Sequence, residues 1–304
     1  MDSLTQIVNF EITTACNLGA LHKLCPNAHP ARFASLPHDT PMSDELIVAS
    51  AVALYREYGF RGLVGWHYYC EPLMDAKRMF RLMLAIRRAA PAAQFLLWSN
   101  GTLLDRYKAT SAIGLFSVAV ITNYGHHAPG LYSSLPWLRE QIPVVEVVPA
   151  KLDGRLDFAP CGYARPCLRM YLEADFDFFG NLHLCCYDWR GLGSPGNLNT
   201  TPLADLIERW IGIREGLGTV PYFGTESSAA RVPDSCRWCG ARFLGNATGH
   251  VPGFVCEIAQ SARERVAELG GLEIGNPPAI FAPFKQTDKA APERNALDGM
   301  LPGP

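Results

Sequence analysis

Apolar and polar residues alternate in two rhythms over the first 150 residues. Five runs rich in β-branched and aromatic residues predict strands: Gln6 to Thr13, Leu63 to Tyr69, Gln94 to Trp98, Phe116 to Ile121 and Val144 to Val148. Ser43 predicts a helix N-cap, and apolar spacing carries that helix to Gly59. The spacing from Met79 to Ile86 predicts a second helix. This alternation is typical of an α/β fold with a parallel sheet, whose ligands lie at the carboxyl ends of the strands.

A different pattern begins after about residue 155. Asp175 to Leu184 predicts a β-hairpin that turns near Gly180 and Asn181. Pro202 predicts the start of a helix that continues through Trp210. From about residue 285 the chain has little to bury, which predicts a mobile tail. We therefore expect a first domain over residues 1–155, a second over 156–260 and a C-terminal extension over 261–304.

The composition limits the classes of partner. Of 304 residues, 48% are hydrophobic, and the formal net charge is −2. A core can therefore form, and no basic field indicates nucleic acid or an anionic membrane as a partner. The sequence has neither a signal peptide nor the run of about twenty apolar residues that a membrane helix needs. We expect a cytoplasmic protein, in which close cysteines more often bind metal than form disulfides.

Two groups stand out among the ten cysteines. Cys16 and Cys25 follow the first predicted strand. Four more form a spaced set: Cys167, Cys185, Cys236 and Cys239. Thiols grouped in this way indicate metal ligation. The pattern predicts two metal centres with redox chemistry between them.

The segment from Glu11 to Pro26, with Thr14-Ala15-Cys16-Asn17-Leu18 inside it, resembles the entry to a radical SAM domain. That family binds a [4Fe–4S] cluster through Cys-x3-Cys-x2-Cys and leaves one iron open to S-adenosylmethionine (SAM). The resemblance implies a partial (β/α)6 TIM-like barrel over residues 1–155. It also implies that Cys16 and Cys25 bind the cluster and that Leu24 contacts the cofactor.

Further motifs continue the resemblance. Glu71, in Cys-Glu-Pro-Leu, stands where the family's Gly-Gly-Glu-Pro-Leu glutamate holds the methionine amino group. Ser99 and Asn100 open a Ser-Asn-Gly-Thr-Leu-Leu run similar to the family's Thr-Asn-Gly-Thr-Leu-Leu. Thr122 and Asn123 end the fourth strand, where the family often has polar residues near the ribose. The resemblance implies that these five residues bind SAM.

The middle cysteine of the family motif is missing. Counting back from Cys25, His22 stands in its place after a two-residue insertion. We hypothesise a ligand set of Cys16, His22 and Cys25, in which histidine would raise the cluster's potential. Two alternatives stay open. Either His22 is an ordinary loop residue and Cys70, beside Glu71, supplies the third thiolate, or the cluster is labile.

The second half of the chain resembles the SPASM domain, or its shorter form twitch, which carries auxiliary iron–sulfur clusters. The resemblance lies in the spacing of the second cysteine group and in Gly180, which four residues separate from Cys185 as in the family pattern. It implies an α+β domain in which one further [4Fe–4S] cluster is bound by Cys167, Cys185, Cys236 and Cys239. Structural zinc is the alternative, because four thiolates also suit that metal.

Four residues are candidates for substrate contact or proton transfer. His67 and Tyr69 lie on the second predicted strand, His126 follows the fourth, and Asp188 follows Cys185. The alternatives are core packing for His67 and Tyr69 and a solvated turn position for Asp188.

The resemblance implies an enzyme that forms a 5′-deoxyadenosyl radical from SAM and abstracts hydrogen from a small biosynthetic substrate. The auxiliary cluster would take or relay an electron, in dehydrogenation or oxidative bond formation. An external donor such as flavodoxin or ferredoxin is implied. One alternative is a peptide (RiPP) maturase with a separate recognition protein, although the short stretch before the first strand favours a small-molecule substrate. The other is a degenerate protein that binds SAM or a cluster without radical chemistry.

Overall fold

A computed structural model gives the fold and describes residues 7–19, 25–28, 32, 36–108, 111–124, 131–147, 173–185 and 188–219. The elements of this part, in chain order, are β1 (Ile7–Phe10), α1 (Asp44–Arg56), β2 (Leu63–Gly65), α2 (Ala76–Ala89), β3 (Gln94–Ser99), β4 (Val118–Thr122), α3 (Leu131–Gln141), β5 (Val144–Val147), β6 (Glu173–Phe176), β7 (Asn181–His183), β8 (Gly196–Asn197) and α4 (Leu203–Thr219). No helix in these ranges has the length and apolar character needed to cross a membrane.

The strands form one mixed sheet in the order β5-β4-β3-β2-β1-β6-β7-β8. Strands β1 to β6 pair with one another in parallel, whereas β7 is antiparallel to both β6 and β8. The predicted α/β fold with a parallel sheet is confirmed. The predicted hairpin is also present, but its first strand, β6, pairs with β1 and so extends the same sheet. The expected domain boundary at 155 lies outside the described residues and stays a prediction.

The two faces of the sheet bury different sets of side chains, because successive residues of a strand point to opposite sides. One face packs against α1, α2 and α4 and includes Phe10, Val64, Phe95 and Ile121. The other face carries a smaller apolar cluster, made of Ile7, Leu63, Leu96, Val118 and Val120, with Trp98 and Val145 against it. Burial on both faces explains why the strands are nearly continuous apolar runs.

The first helix begins where the sequence predicts. Ser43 accepts a hydrogen bond of 3.1 Å from the backbone N–H of Leu46, which satisfies one of the exposed donors of the first turn. The helix ends at Arg56, before the expected Gly59. Gly59 instead has a φ of +65°, which suits glycine because it has no Cβ, and it turns the chain toward β2.

The second strand ends at Gly65, whereas the sequence pattern predicts a strand to Tyr69. The reason lies in the hydrogen bonds of the following residues. The backbone N–H of Tyr69 donates to a carboxylate oxygen of Glu11 at 2.9 Å, not to a neighbouring strand. The run from Trp66 to Tyr69 is therefore a loop at the carboxyl edge of the sheet.

Candidate cofactor site at the ends of the parallel strands

The loop after β1 carries two free thiols, Cys16 and Cys25, which are both half-buried. The pKa of Cys16 is raised to about 11, mainly by burial and in smaller part by the neighbouring Glu71 and Cys25, while hydrogen bonds from Leu18 and Gly19 limit the rise. Cys16 is therefore a neutral thiol at pH 7 unless a cation replaces its proton. Metal binding to a thiol does this, so the pair fits an iron–sulfur site chemically.

The third predicted ligand of this site, His22, and the predicted cofactor contact Leu24 lie outside the described residues. Within them, no three His, Cys, Asp or Glu side chains come together in a group that could hold a metal. The Cys70 thiol donates to the carbonyl of Trp66 at 3.6 Å, and burial raises its pKa well above the usual range.

Glu71 brings the ends of β2 and β3 together. Its carboxylate is buried and accepts hydrogen bonds from the hydroxyl of Ser99 at 2.8 Å and from the backbone N–H of Asn100 at 2.7 Å. A third donor is the N–H of Leu73 at 3.1 Å. Burial raises the pKa of Glu71 to about 7, and the three donors limit the rise. Three of the predicted cofactor residues therefore meet at one carboxylate.

The same glutamate lies against the cysteine loop. Its backbone N–H donates to the carbonyl of Ala15 at 3.0 Å, one residue before Cys16. The predicted metal-binding loop and the predicted methionine-binding residues are thus held in contact.

A triangle of polar side chains, which the sequence analysis did not identify, makes a second link between these loops. The amide of Asn100 donates to Asn17 at 2.9 Å, and the amide of Asn17 donates to the hydroxyl of Thr102 at 2.6 Å. Thr102 in turn donates to Asn100 at 2.6 Å. The sequence indicates these two residues only by their positions. Asn17 directly follows the candidate ligand Cys16, and Thr102 belongs to the Ser-Asn-Gly-Thr run.

Thr122 and Asn123, at the end of β4, are buried at the same edge of the sheet. The hydroxyl of Thr122 accepts a hydrogen bond of 3.0 Å from the indole N–H of Trp98. The amide of Asn123 donates to the carboxylate of Glu146 at 2.8 Å. Both predicted residues therefore have protein partners that fix their orientation.

The candidate catalytic residues of the loop after β2 have aromatic neighbours. The ring of His67 lies 4.7 Å from that of Trp98, between ring centroids. Tyr69 is buried, and the guanidinium of Arg32 lies 5.1 Å from the centre of its ring. The burial of Tyr69 fits the core-packing alternative. His67 is half-buried at the edge of the site. His126 lies outside the described residues.

The hairpin places Cys185 next to the loop after β2. The carbonyl of Cys185 accepts hydrogen bonds from the hydroxyl of Tyr68 at 3.2 Å and from the N–H of Asp188 at 2.9 Å. Asp188 is buried rather than solvated, contrary to the alternative considered above, and its carboxylate accepts a bond of 3.2 Å from the N–H of Gly193. The remaining predicted ligands of the auxiliary centre, Cys167, Cys236 and Cys239, lie outside the described residues.

Comparison with solved structures finds the same fold in BtrN. BtrN, in its crystal structure in complex with AdoMet and 2-DOIA, has 19% sequence identity to this chain. The two structures superimpose with a TM-score of 0.51, and the match covers 72% of this chain and 89% of the BtrN chain. A structure of SeMet BtrN in an open conformation has 18% sequence identity to this chain and a TM-score of 0.52. This match covers 79% of this chain and 94% of the BtrN chain. No protein-family model and no curated protein sequence matches the chain. At this level of identity, the likeness shows a shared fold.

Proposed function

We propose that this chain is a radical SAM enzyme. It binds SAM and a [4Fe–4S] cluster at the carboxyl edge of the sheet and forms a 5′-deoxyadenosyl radical that abstracts hydrogen from a small biosynthetic substrate. The observation that carries the proposal is the contact of Glu71 with Ser99 and Asn100, directly beside the cysteine loop. The fold shared with BtrN, whose crystal structure contains AdoMet, supports it.

The cysteine loop holds the first cluster through Cys16, Cys25 and a third ligand, for which His22 remains our hypothesis. When bound and reduced, the cluster supplies the electron that cleaves the sulfonium of SAM, which is chemistry that belongs to the cofactor. The chain's own contribution is to place two thiols in a half-buried loop, where they would release their protons to solvent as they bind the metal.

Glu71 orients the methionine part of SAM. A carboxylate in a buried position interacts more strongly with an ammonium group than an exposed one does, because water screens it less. The hydrogen bonds from Ser99 and Asn100 fix the direction of the carboxylate before the cofactor arrives. The side chain of Asn100 donates in turn to Asn17, so the residue that follows Cys16 also helps to hold Asn100 in place. Leu24, Thr122 and Asn123 complete the proposed cofactor site.

A second [4Fe–4S] cluster is proposed at Cys185 together with Cys167, Cys236 and Cys239, in a twitch-like domain. Four thiolates leave no open position for substrate, so the use we propose is to take or relay an electron. Dehydrogenation of an alcohol or amine, or oxidative bond formation, fits this use. The proposal includes a cytoplasmic location, a small-molecule substrate and an external electron donor such as flavodoxin or ferredoxin.

The test is anaerobic reconstitution followed by reaction with SAM and dithionite. We expect about eight irons and eight acid-labile sulfides per chain, from two [4Fe–4S] centres, and release of 5′-deoxyadenosine. The double variant Cys16→Ala/Cys25→Ala should lose about half of the iron and all of the 5′-deoxyadenosine. Cys185→Ala should lose a similar share of iron and keep SAM cleavage.

Cys70→Ala is the matched control, because it removes a cysteine of the same region that is bonded to a backbone carbonyl. It should keep both the iron and the cleavage activity, and loss of iron would instead make Cys70 the third ligand. A wild-type protein that loads clusters but never yields 5′-deoxyadenosine would be the degenerate alternative. A colourless protein that contains zinc would overturn the proposal for the second centre.

A further inference from the structure

A buried ion pair lies under the cysteine loop and is not part of the cofactor site described above. It joins the carboxylate of Glu11, at the end of β1, to the guanidinium of Arg32, and the two side chains are 0% and 1% exposed. Burial alone would lower the pKa of Arg32, but the carboxylate of Glu11 reverses this and raises it. The guanidinium of Arg32 therefore stays charged, and burying it beside a carboxylate requires that the remaining polar atoms of the pair find partners.

Those partners come from three different segments. The two carboxylate oxygens of Glu11 also accept backbone N–H bonds from Tyr69 at 2.9 Å and from Phe178 at 3.1 Å. Tyr69 belongs to the loop that carries Glu71, and Phe178 belongs to the turn of the hairpin that leads to Cys185. One carboxylate thus fixes the end of β1 to both of these loops.

The guanidinium of Arg32 extends the same network to the far end of the cysteine loop. A second nitrogen of Arg32 donates to the side-chain oxygen of Asn27. The amide of Asn27 then donates to the backbone carbonyl of Thr14 at 2.9 Å. Thr14 lies two residues before Cys16, and Asn27 lies two residues after Cys25. The bond between them therefore closes the loop at its base.

We propose that Asn27 and Arg32 are positioning residues that close the Cys16–Cys25 loop and hold its two thiols ready for metal binding. The inference rests on the proposed function, and it answers a difficulty that the sequence raises. The loop is two residues longer than the family motif, and a longer flexible loop costs more entropy to close. A hydrogen bond across the base removes part of that cost before the metal binds.

The discriminating variant is Asn27→Asp. Its carboxylate still accepts from Arg32 but cannot donate to the carbonyl of Thr14, so the closing bond is replaced by a contact between two oxygen atoms. Asn27 is half-buried, and the new negative charge faces the guanidinium of Arg32, so the hydrogen bond between positions 27 and 32 is kept. Arg32→Lys is the second variant, because a single ammonium cannot contact Glu11 and Asn27 with the two-pronged geometry of arginine. Asn199→Asp is the matched control: its amide also donates to backbone carbonyls, those of Thr40 and Phe179, away from the cysteine loop.

Two measurements are made on each protein. The first is the rate at which a chelator removes iron from the reconstituted protein. The second is amide hydrogen exchange of residues 11–19 in the iron-free protein. Both rates should rise about two- to tenfold in Asn27→Asp, the range expected for one lost hydrogen bond, and at least as much in Arg32→Lys. Asn199→Asp should match the wild type in both.

The inference is overturned if Asn27→Asp behaves as the wild type, or if Asn199→Asp accelerates iron loss equally. Should Arg32→Lys fail to fold, Asn27→Asp decides alone. Failure of the proposed function is a different result, namely a wild-type protein that forms no 5′-deoxyadenosine. Exchange in the iron-free protein reports on the loop in either case.

Discussion

The carboxylate of Glu71, in the loop after β2, accepts a hydrogen bond of 2.7 Å from the backbone N–H of Asn100, at the end of β3. Neighbouring parallel strands end at the same edge of a sheet, so residues far apart in sequence meet there. The bond fixes the carboxylate in a buried position, where one negative charge has a strong effect on any cation that binds nearby. The proposed role of Glu71 in holding the amino group of SAM follows from this geometry.

Replacing Glu71 by glutamine should weaken SAM binding. The variant keeps the size of the side chain but loses its charge, and an amide –NH2 cannot accept the bond from Asn100. We expect the dissociation constant for SAM to rise about ten- to hundredfold, as for the loss of a hydrogen bond to a charged group. Equilibrium dialysis with the reconstituted protein measures it. Glu57→Gln, an exposed change at the end of α1, is the control. Equal affinity in wild type and Glu71→Gln would contradict the assignment.

The affinity for SAM should also depend on pH through Glu71. Its pKa is raised to about 7 by burial, so the carboxyl group gains a proton as the pH falls from 8 to 6. Protons then compete with the ammonium of SAM, and the affinity should fall by up to about tenfold per pH unit below 7. The same dialysis at three pH values measures this slope. In Glu71→Gln the slope should disappear, and its persistence there would assign the titration to another group.

Much of this site could be predicted because it depends on strand order. Glu71, Ser99 and Asn100 each follow a recognisable strand, and parallel strands bring such residues to one edge. Asn17 and Thr102 could not be paired in this way, because their contact depends on the path of the loop that carries Cys16.

The end of β2 shows a different limit of sequence reasoning. The aromatic run from Trp66 to Tyr69 has the composition of a strand. The carboxylate of Glu11, the residue that follows β1, accepts a hydrogen bond from the N–H of Tyr69, and the strand pairing ends before this point. The partner of Glu11, Arg32, lies beyond the cysteine loop. Nothing in the local pattern around either residue indicates that ion pair.

Gly65 should tolerate no side chain, because β1 approaches it closely. A Cβ at this position would lie 1.9 Å from the side-chain oxygen of Asn9. Asn9 cannot easily move away, since its amide donates to the carboxylate of Asp175 at 2.7 Å. We expect Gly65→Ala to lower the free energy of unfolding by about 1–3 kcal/mol, the usual cost of overpacking. Urea unfolding measures it.

Two further variants test this explanation. Gly114→Ala is the control, because a Cβ there meets nothing within 4 Å, and its effect should stay within about 0.5 kcal/mol. In the double variant Asn9→Ser/Gly65→Ala the shorter side chain removes the clash. The double variant should therefore be more stable than the sum of the two single changes predicts. Simple additivity would show that the cost of Gly65→Ala has another cause.

His183 and Asp177 form a buried ion pair at the base of the hairpin. One ring nitrogen of His183 lies 2.7 Å from the carbonyl of Asp188, so it must donate, and the other lies 3.1 Å from the carboxylate of Asp177. Burial lowers the pKa of His183, but the hydrogen bonds and charges of Asp177 and Asp188 together outweigh burial and raise it overall. Burial would raise the pKa of Asp177, but the hydrogen bond and the charge of His183, together with the hydrogen bonds from Asn181, lower it overall.

The two shifts predict the pH range in which the pair stabilises the protein. The contribution of His183 is complete below the unfolded pKa of about 6.5 and is lost as the pH rises through the raised folded value. The stabilising contribution of Asp177 is complete above its unfolded pKa of about 3.9. It is lost as the pH falls through the lowered pKa that Asp177 has in the folded protein. Between these limits, the free energy of unfolding should be highest, and above about pH 6.5 it should decline.

Replacing His183 by glutamine should remove that decline. At pH 6 the variant should be less stable by about 3–5 kcal/mol, the cost of leaving one buried charge without its partner. The difference from wild type should shrink as the pH rises through the raised pKa of His183. Urea unfolding at pH 6, 7.5 and 9 measures both effects, with the exposed His38→Gln as the control. If His183→Gln kept the wild-type slope between pH 6 and 9, His183 would not be the titrating group, and the charged pair assigned here would be wrong.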